Sequence, residues 1–244
     1  MLRSTNVHIP ATDIPKFAFK KTQIMIAAEL ISPILKPITA DDTGISALHW
    51  FDEFNVEHLP LVNNNQFLGI LSEDTIFLQN TFEEPLQIKS ENLLMISANT
   101  NDNIFDVLRL FHEYRLTSLP VTDNSGTYSG TISYHEILEK ITDLMGAMNP
   151  GAVIVIGTNV NDLSLVELSQ IVESNHAQIM SYFVTTKDNT LQCDVTMKLN
   201  RMDIQPVIET LNRYNYTIKA TYFESELKDS LRDRYDNLMN YLNM

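Results

Sequence analysis

Two hydroxyls recur at matching places in this chain. Ser72 closes the run Gly69-Ile70-Leu71, and Ser133 closes Gly130-Thr131-Ile132. Apolar residues at helical spacing follow each, so each hydroxyl is expected at a helix N-terminus. Free backbone N–H groups there can hold a phosphate. The other reactive side chains form no catalytic pattern. The six histidines, His8, His49, His58, His112, His135 and His176, contain no H-E-x-x-H or other metal spacing. Asp41-Asp42 and Glu83-Glu84 read as caps or solvated loops. Cys193 reads as a small strand residue rather than a reactive thiol. There is no G-x-S-x-G, P-loop or dinucleotide fingerprint. Binding is expected rather than catalysis, with no metal and no required cofactor.

The elements that would position these hydroxyls occur twice. Leu48, Phe51, Phe54, Val56, Leu59, Pro60, Gly69 and Ser72 are answered by Leu108, Phe111, Tyr114, Leu116, Leu119, Pro120, Gly130 and Ser133. The offset is 60 up to the prolines and 61 after them. A repeat of this length means two copies of one folding unit with a symmetric cleft between them. A short helix is expected at 25–31. In copy one an extended 36–39, a helix over 44–55 capped by Asp41, Asp42 or Thr43, and strands 58–62 and 67–71 follow, with a turn at 63–65. Ser72 then caps a helix whose first turn holds Glu73 and Asp74. In copy two the matching segments are extended 95–97, helix 103–115, strands 118–122 and 128–132, and helix 133–145.

Met148-Asn149-Pro150-Gly151 marks a boundary. Beyond it the pattern gives strand 152–157, a helix around Leu165, Leu168, Ile171 and Val172, strands 179–185 and 193–199, helix 204–214 and strand 218–223. The order βαββαβ predicts a four-stranded antiparallel sheet with both helices on one face. Residues 225–244 place Leu227, Leu231, Tyr235, Leu238 and Leu242 on one stripe of an amphipathic helix. The fold class is α/β (α+β), and five segments are expected: a disordered extension 1–24, copies 25–86 and 87–148, a domain 151–224, and the helix 225–244.

Composition narrows the partners. A net charge of −14 over 244 residues argues against nucleic acid, which needs a positive face. A single cysteine leaves no disulfide framework and fits the cytoplasm. No apolar run reaches the ~18 residues of a membrane span. Pro10, Asp13 and Pro15 interrupt the N-terminal apolar residues, so 1–24 is not a signal peptide.

The repeated unit resembles a CBS domain, through Asn55-Val56-Glu57-His58-Leu59-Pro60-Leu61-Val62 with Gly69-Ile70-Leu71-Ser72, and Arg115 to Thr122 with Gly130-Thr131-Ile132-Ser133. Tandem pairs of this family, called Bateman modules, bind adenine nucleotides or S-adenosylmethionine and regulate a partner. The resemblance implies AMP, ADP, ATP or S-adenosylmethionine as a regulatory ligand. Val56 and Leu59, or Leu116 and Leu119, would sandwich the base, with Ile38 or Ile96 over its other side. The family pattern puts a ribose-binding Asp three residues after the hydroxyl. Here Thr75 stands there in copy one, and Asp74 is about 100° away around the helix. Glu136 stands there in copy two. Site two is therefore favoured: Ile96, Ser97, Arg115, Leu116, Leu119, Pro120, Ser133, His135 and Glu136. The weaker site one comprises Ile38, Thr39, Val56, His58, Leu59, Ser72 and Thr75.

Residues 152–223 resemble an ACT domain through the βαββαβ order and the spacing Leu165, Leu168, Ile171, Val172 and Ile179. Their loop 159–164 lacks the glycine with which ACT domains approach an amino acid, so homodimerisation through sheet edges or helices is expected instead. The order CBS–CBS–ACT resembles acetoin-utilisation-type regulatory proteins. The reading is a non-catalytic regulatory protein, a homodimer that binds a small ligand and acts on an unknown partner. The alternative is an interaction scaffold with degenerate ligand sites, motivated by the 225–244 stripe.

Overall fold

Thr43 and Asn103 start two matching helices. The Thr43 hydroxyl accepts from the Ser46 N–H at 3.2 Å, and the Asn103 side chain accepts from Phe105 and Asp106 N–H at 2.9 and 3.2 Å. Each cap satisfies N–H groups that have no intrahelical partner. The helices end in left-handed residues, Asn55 and Arg115, both at φ 51°. The computed structural model describes residues 25–79, 82–86, 93–188, 190–222 and 239. The expected extension 1–24, the stripe residues of 225–244 and Phe223 lie outside them.

Copy one runs β1 (Ile38–Thr39), α1 (Gly44–Phe54), β2 (His58–Asn63), β3 (Gln66–Ser72) and α2 (Glu73–Gln79). Copy two runs β4 (Ala98–Asn99), α3 (Ile104–Tyr114), β5 (Ser118–Thr122), β6 (Tyr128–Ser133) and α4 (Tyr134–Leu144). Each forms a three-stranded sheet, a parallel lead-in strand followed by an antiparallel hairpin. Asn64 and Asn65, at φ 48° and 63°, make the tight turn of the first hairpin. The extended segment expected at 95–97 forms its strand at Ala98–Asn99 instead. Ala98 is thus the counterpart of Ile38, and Ile96 is not.

The copies exchange their lead-in segments. Residues 25–32, grouped with copy one by the expected 25–86 boundary, bond to copy two. Ala27 N–H donates to Asp102 O at 2.8 Å, Ser32 N–H to Thr131 O at 2.8 Å, and Ile104 N–H to Met25 O at 3.0 Å. The expected short helix is a single 3₁₀ turn, Ala27–Leu30. In return, Leu94 and Ile70 of copy one exchange N–H···O bonds at 2.8 and 3.2 Å. Gly69 and Gly130 lie under these crossings. A Cβ on Gly69 would come within 2.6 Å of Leu93 Cβ, and one on Gly130 would run into Ile31.

The chain divides into two compact units after Ile137. The second unit continues with β7 (Ala152–Asn159), a 3₁₀ turn at Val160–Asp162, α5 (Leu165–Ser174), β8 (Ile179–Thr186), β9 (Gln192–Leu199), α6 (Gln205–Arg213) and β10 (Thr217–Tyr222). Its antiparallel sheet has the order β10-β7-β9-β8, the ferredoxin-like arrangement that βαββαβ predicts. Alternation in β9 puts Cys193, Val195, Met197 and Leu199 in the core with Leu168, Val172 and Leu211.

Candidate functional site

The two copies meet along β2 and β5, and the contact is polar. Thr117 Oγ1 accepts from the N–H of Glu57 at 2.8 Å and of His58 at 3.1 Å. His58 Nδ1 lies 3.1 Å from that hydroxyl and accepts from Thr117 N–H at 3.4 Å. Ser118 Oγ donates to His58 O at 2.6 Å. With the offset of 60, Glu57 and His58 are the counterparts of Thr117 and Ser118, so matching segments face each other across a pseudo-two-fold axis.

Two cavities open at this junction. One of about 450 Å³ is lined by Phe51, Asp52, Asn55, Val56, Glu57, Glu73, Thr117 and Tyr134. The other, about 210 Å³, is lined by Glu57, His58, Ser72, Glu73 and Asp74. Neither carries a lysine or arginine. The sequence explains this: between Lys36 and Lys89 there are nine carboxylates (Asp41, Asp42, Asp52, Glu53, Glu57, Glu73, Asp74, Glu83, Glu84) and no lysine or arginine. Such walls repel a polyphosphate. Copy two carries Arg109, Arg115 and Lys140.

Ser133 and Ser72 cap α4 and α2 as expected. Ser133 Oγ accepts from the N–H of His135 and Glu136 at 3.2 and 3.4 Å, and Glu136 Oε2 accepts from Ser133 N–H at 3.3 Å and from its hydroxyl. This is a reciprocal capping box. Burial would raise the Glu136 carboxyl. The hydrogen bonds from Ser133, from Ser32 and from the backbone outweigh that cost and hold it below the ordinary value of 4.5. Copy one builds a neutral version, with Ser72 Oγ 2.8 Å from Thr75 Oγ1 and accepting from Thr75 N–H at 3.3 Å.

The expected base sandwich is placed differently. Ile38, Leu59 and Leu119 are 0% exposed, Val56 5% and Leu116 6%. Ile38, Val56 and Leu59 belong to the core of copy one, and Pro120 is buried in β5. Turning a side chain like Leu59 out to a base would forfeit about 1.5–3 kcal/mol of burial. As folded, these residues have almost no surface to offer. Ile96 is half-buried, Ser97 Oγ lies 3.0 Å from Thr122 Oγ1, and Thr39 donates to Asp42 from its N–H at 2.7 Å and its hydroxyl at 2.8 Å. Arg115 and His135 are exposed.

The sequence reading missed Thr117 and Ser32. Thr117 ties the copies together, and Ser32 reaches Glu136 from the exchanged lead-in. Only the repeat offset hinted at the first, since residues just ahead of β2 and β5 meet at the axis. Nothing local marks Ser32. Among the described residues no cluster of His, Cys, Asp and Glu could hold a metal, and no helix is long and apolar enough to cross a membrane.

The first unit is thus a tandem α/β module with matched halves. Residues 90–143, in copy two, match the family model of the CBS domain; copy one repeats the element order of copy two. Inosine-5'-monophosphate dehydrogenase of Streptococcus pyogenes serotype M3 is 25% identical over 109 residues, 43% of this chain and 22% of that protein. Homoserine O-acetyltransferase of Methanococcus vannielii is 33% identical over 95 residues, 36% of this chain and 19% of that protein. The chain spans about a fifth of the length of the curated relatives it matches. A solved CBS domain pair/ACT domain protein of Thermotoga maritima is similar over 49% of this chain and 98% of its own, at 19% identity and a TM-score of 0.43.

Proposed function

We propose that this chain is a non-catalytic regulatory protein whose CBS pair binds an adenosine-type small ligand and passes that binding to a separate protein. The observation that carries the reading is Glu136. It is an ionised, half-buried carboxylate at the head of α4, in the copy that matches the CBS family and carries the arginines. A ribose hydroxyl that bonded to Glu136 would compete with Ser32. Binding would then loosen the lead-in segment 25–32, which gives the ligand a mechanical output. The acid-lined cavities beside copy one disfavour ATP there. The ferredoxin-like, ACT-like second unit would supply the homodimer contact. Both edge strands carry a bulge, but β8 has no charged side chain, whereas the other edge, β10, has Lys219. A free buried Cys193 suits the cytoplasm.

The scaffold reading draws on the buried sandwich residues and the hydrogen-bonded Glu136. Thermal denaturation with adenosine, AMP, ATP, S-adenosylmethionine and amino acids separates the two. A ligand at 100 times its dissociation constant adds about 2.7 kcal/mol to the native state. Glu136→Gln preserves the capping box, because glutamine also closes it, yet should abolish the ligand-induced shift. Thr75→Ala should leave the shift intact. Equal loss from both would refute site two, and no shift with any ligand would leave the scaffold.

A further inference from the structure

His58 joins the two copies through atoms whose roles depend on one proton. Thr117 Oγ1 already accepts two backbone N–H bonds, from Glu57 and His58. Its hydroxyl hydrogen therefore points to His58 Nδ1, 3.1 Å away, where Thr117 N–H also donates. Both bonds need a bare Nδ1, so the neutral ring carries its proton on Nε2. A second proton would land on Nδ1 and oppose both donors. The same ring also lines the 210 Å³ cavity with Glu57, Ser72, Glu73 and Asp74.

We infer that His58 is a proton-operated latch between the copies: neutral, it grips Thr117 of copy two; protonated, it lets go and turns to the acids of copy one. The charged groups around it are Glu57, ahead of β2, and Glu73 and Asp74, at the start of α2. Copy two faces it with Thr117 and Ser118, which carry no charge. The cation is thus attracted to one side only. Burial depresses the imidazole below its ordinary 6.5, against the pull of Glu57 and Asp74. A depressed histidine stabilises the native state fully above 6.5, and that contribution is lost as the pH falls from 6.5 toward the folded value. The latch is therefore shut at neutral pH and opens in mild acid. This goes beyond the ligand reading and does not depend on it.

Amide hydrogen exchange on the full chain tests the latch, with each rate referred to its intrinsic value at that pH. The amides of Glu57, His58 and Thr117 should lose protection severalfold between roughly pH 7.5 and pH 5. Amides of β9 should keep theirs. In His58→Gln, which is uncharged at every pH, the acid-dependent loss should vanish. Equal protection at the two pH values, or the same loss in His58→Gln, overturns the inference. Imidazole ¹⁵N shifts of the wild-type chain give an independent check should the variant fold poorly. A neutral His58 with its proton on Nδ1 would end the proposal.

Discussion

Glu136 holds several hydrogen bonds at once, and its energetics follow from them. Removing it in Glu136→Ala opens the capping box and should cost about 0.5–2 kcal/mol. Its folded pKa lies below the ordinary 4.5. The carboxylate therefore stabilises fully above 4.5 and progressively less as the pH drops through the folded value. Urea midpoints followed from about pH 6 to about pH 3 should fall more steeply for wild type than for Glu136→Gln; parallel curves would show that the hydrogen bonds do not favour the charged form. The sequence made Ser72, Thr75, Ser133 and Glu136 legible, because hydroxyl-to-acid spacing at a helix start is a local pattern. It could not show that Leu59 and Leu119 face inward. Strand periodicity gives alternation, and a strand buried on both faces, as β5 is throughout, has no outward side to read.

Gly69 and Gly130 show how an element records what crosses it. Their φ values, +145° and +154°, disfavour any side chain, and the space a Cβ would need holds Leu93 and Ile31. Gly130→Ala should cost about 1–3 kcal/mol by strain and displacement of the lead-in. Gly126, at φ +79° with only Gln66 Oε1 at 3.9 Å, shares the backbone penalty without the collision. In urea unfolding, Gly130→Ala should therefore be the more destabilised; equal costs would mean that Ile31 simply moves aside. Most strands and helices were read from sequence to within a residue or two, because caps, glycines and apolar spacing are local. Two were not. The helix expected at 25–31 shortened to one 3₁₀ turn, and after the segment expected to be extended at 95–97 the strand forms at Ala98–Asn99. Partners far along the chain decided both.

At the scale of the whole molecule, the repeat announced two halves but not their exchange. A chain that begins at Pro33 lacks the residues that bond to Asp102, Thr131 and Ile104. The Ile104 amide, which donates to Met25 O, should lose exchange protection, while amides of β9 in the second unit keep theirs. Unchanged protection at Ile104 would show that copy two is complete without its borrowed segment. Charge is also divided within the first unit, with no lysine or arginine from 37 to 88 and two arginines, Arg109 and Arg115, in copy two.

The exchange also has a consequence during synthesis. Ile26, Ala27, Leu30 and Ile31 leave the ribosome well ahead of copy two, and their resting place around Thr100, Asn103 and Gly130 is encoded about 70 to 100 codons later. At about 5–20 residues per second they wait roughly four to twenty seconds with nothing of their own to cover them. Copy one, for its part, is unfinished until Leu94 emerges. A nascent chain stalled between the two copies would expose an oily leader and an open sheet edge together, the combination that holding chaperones recognise.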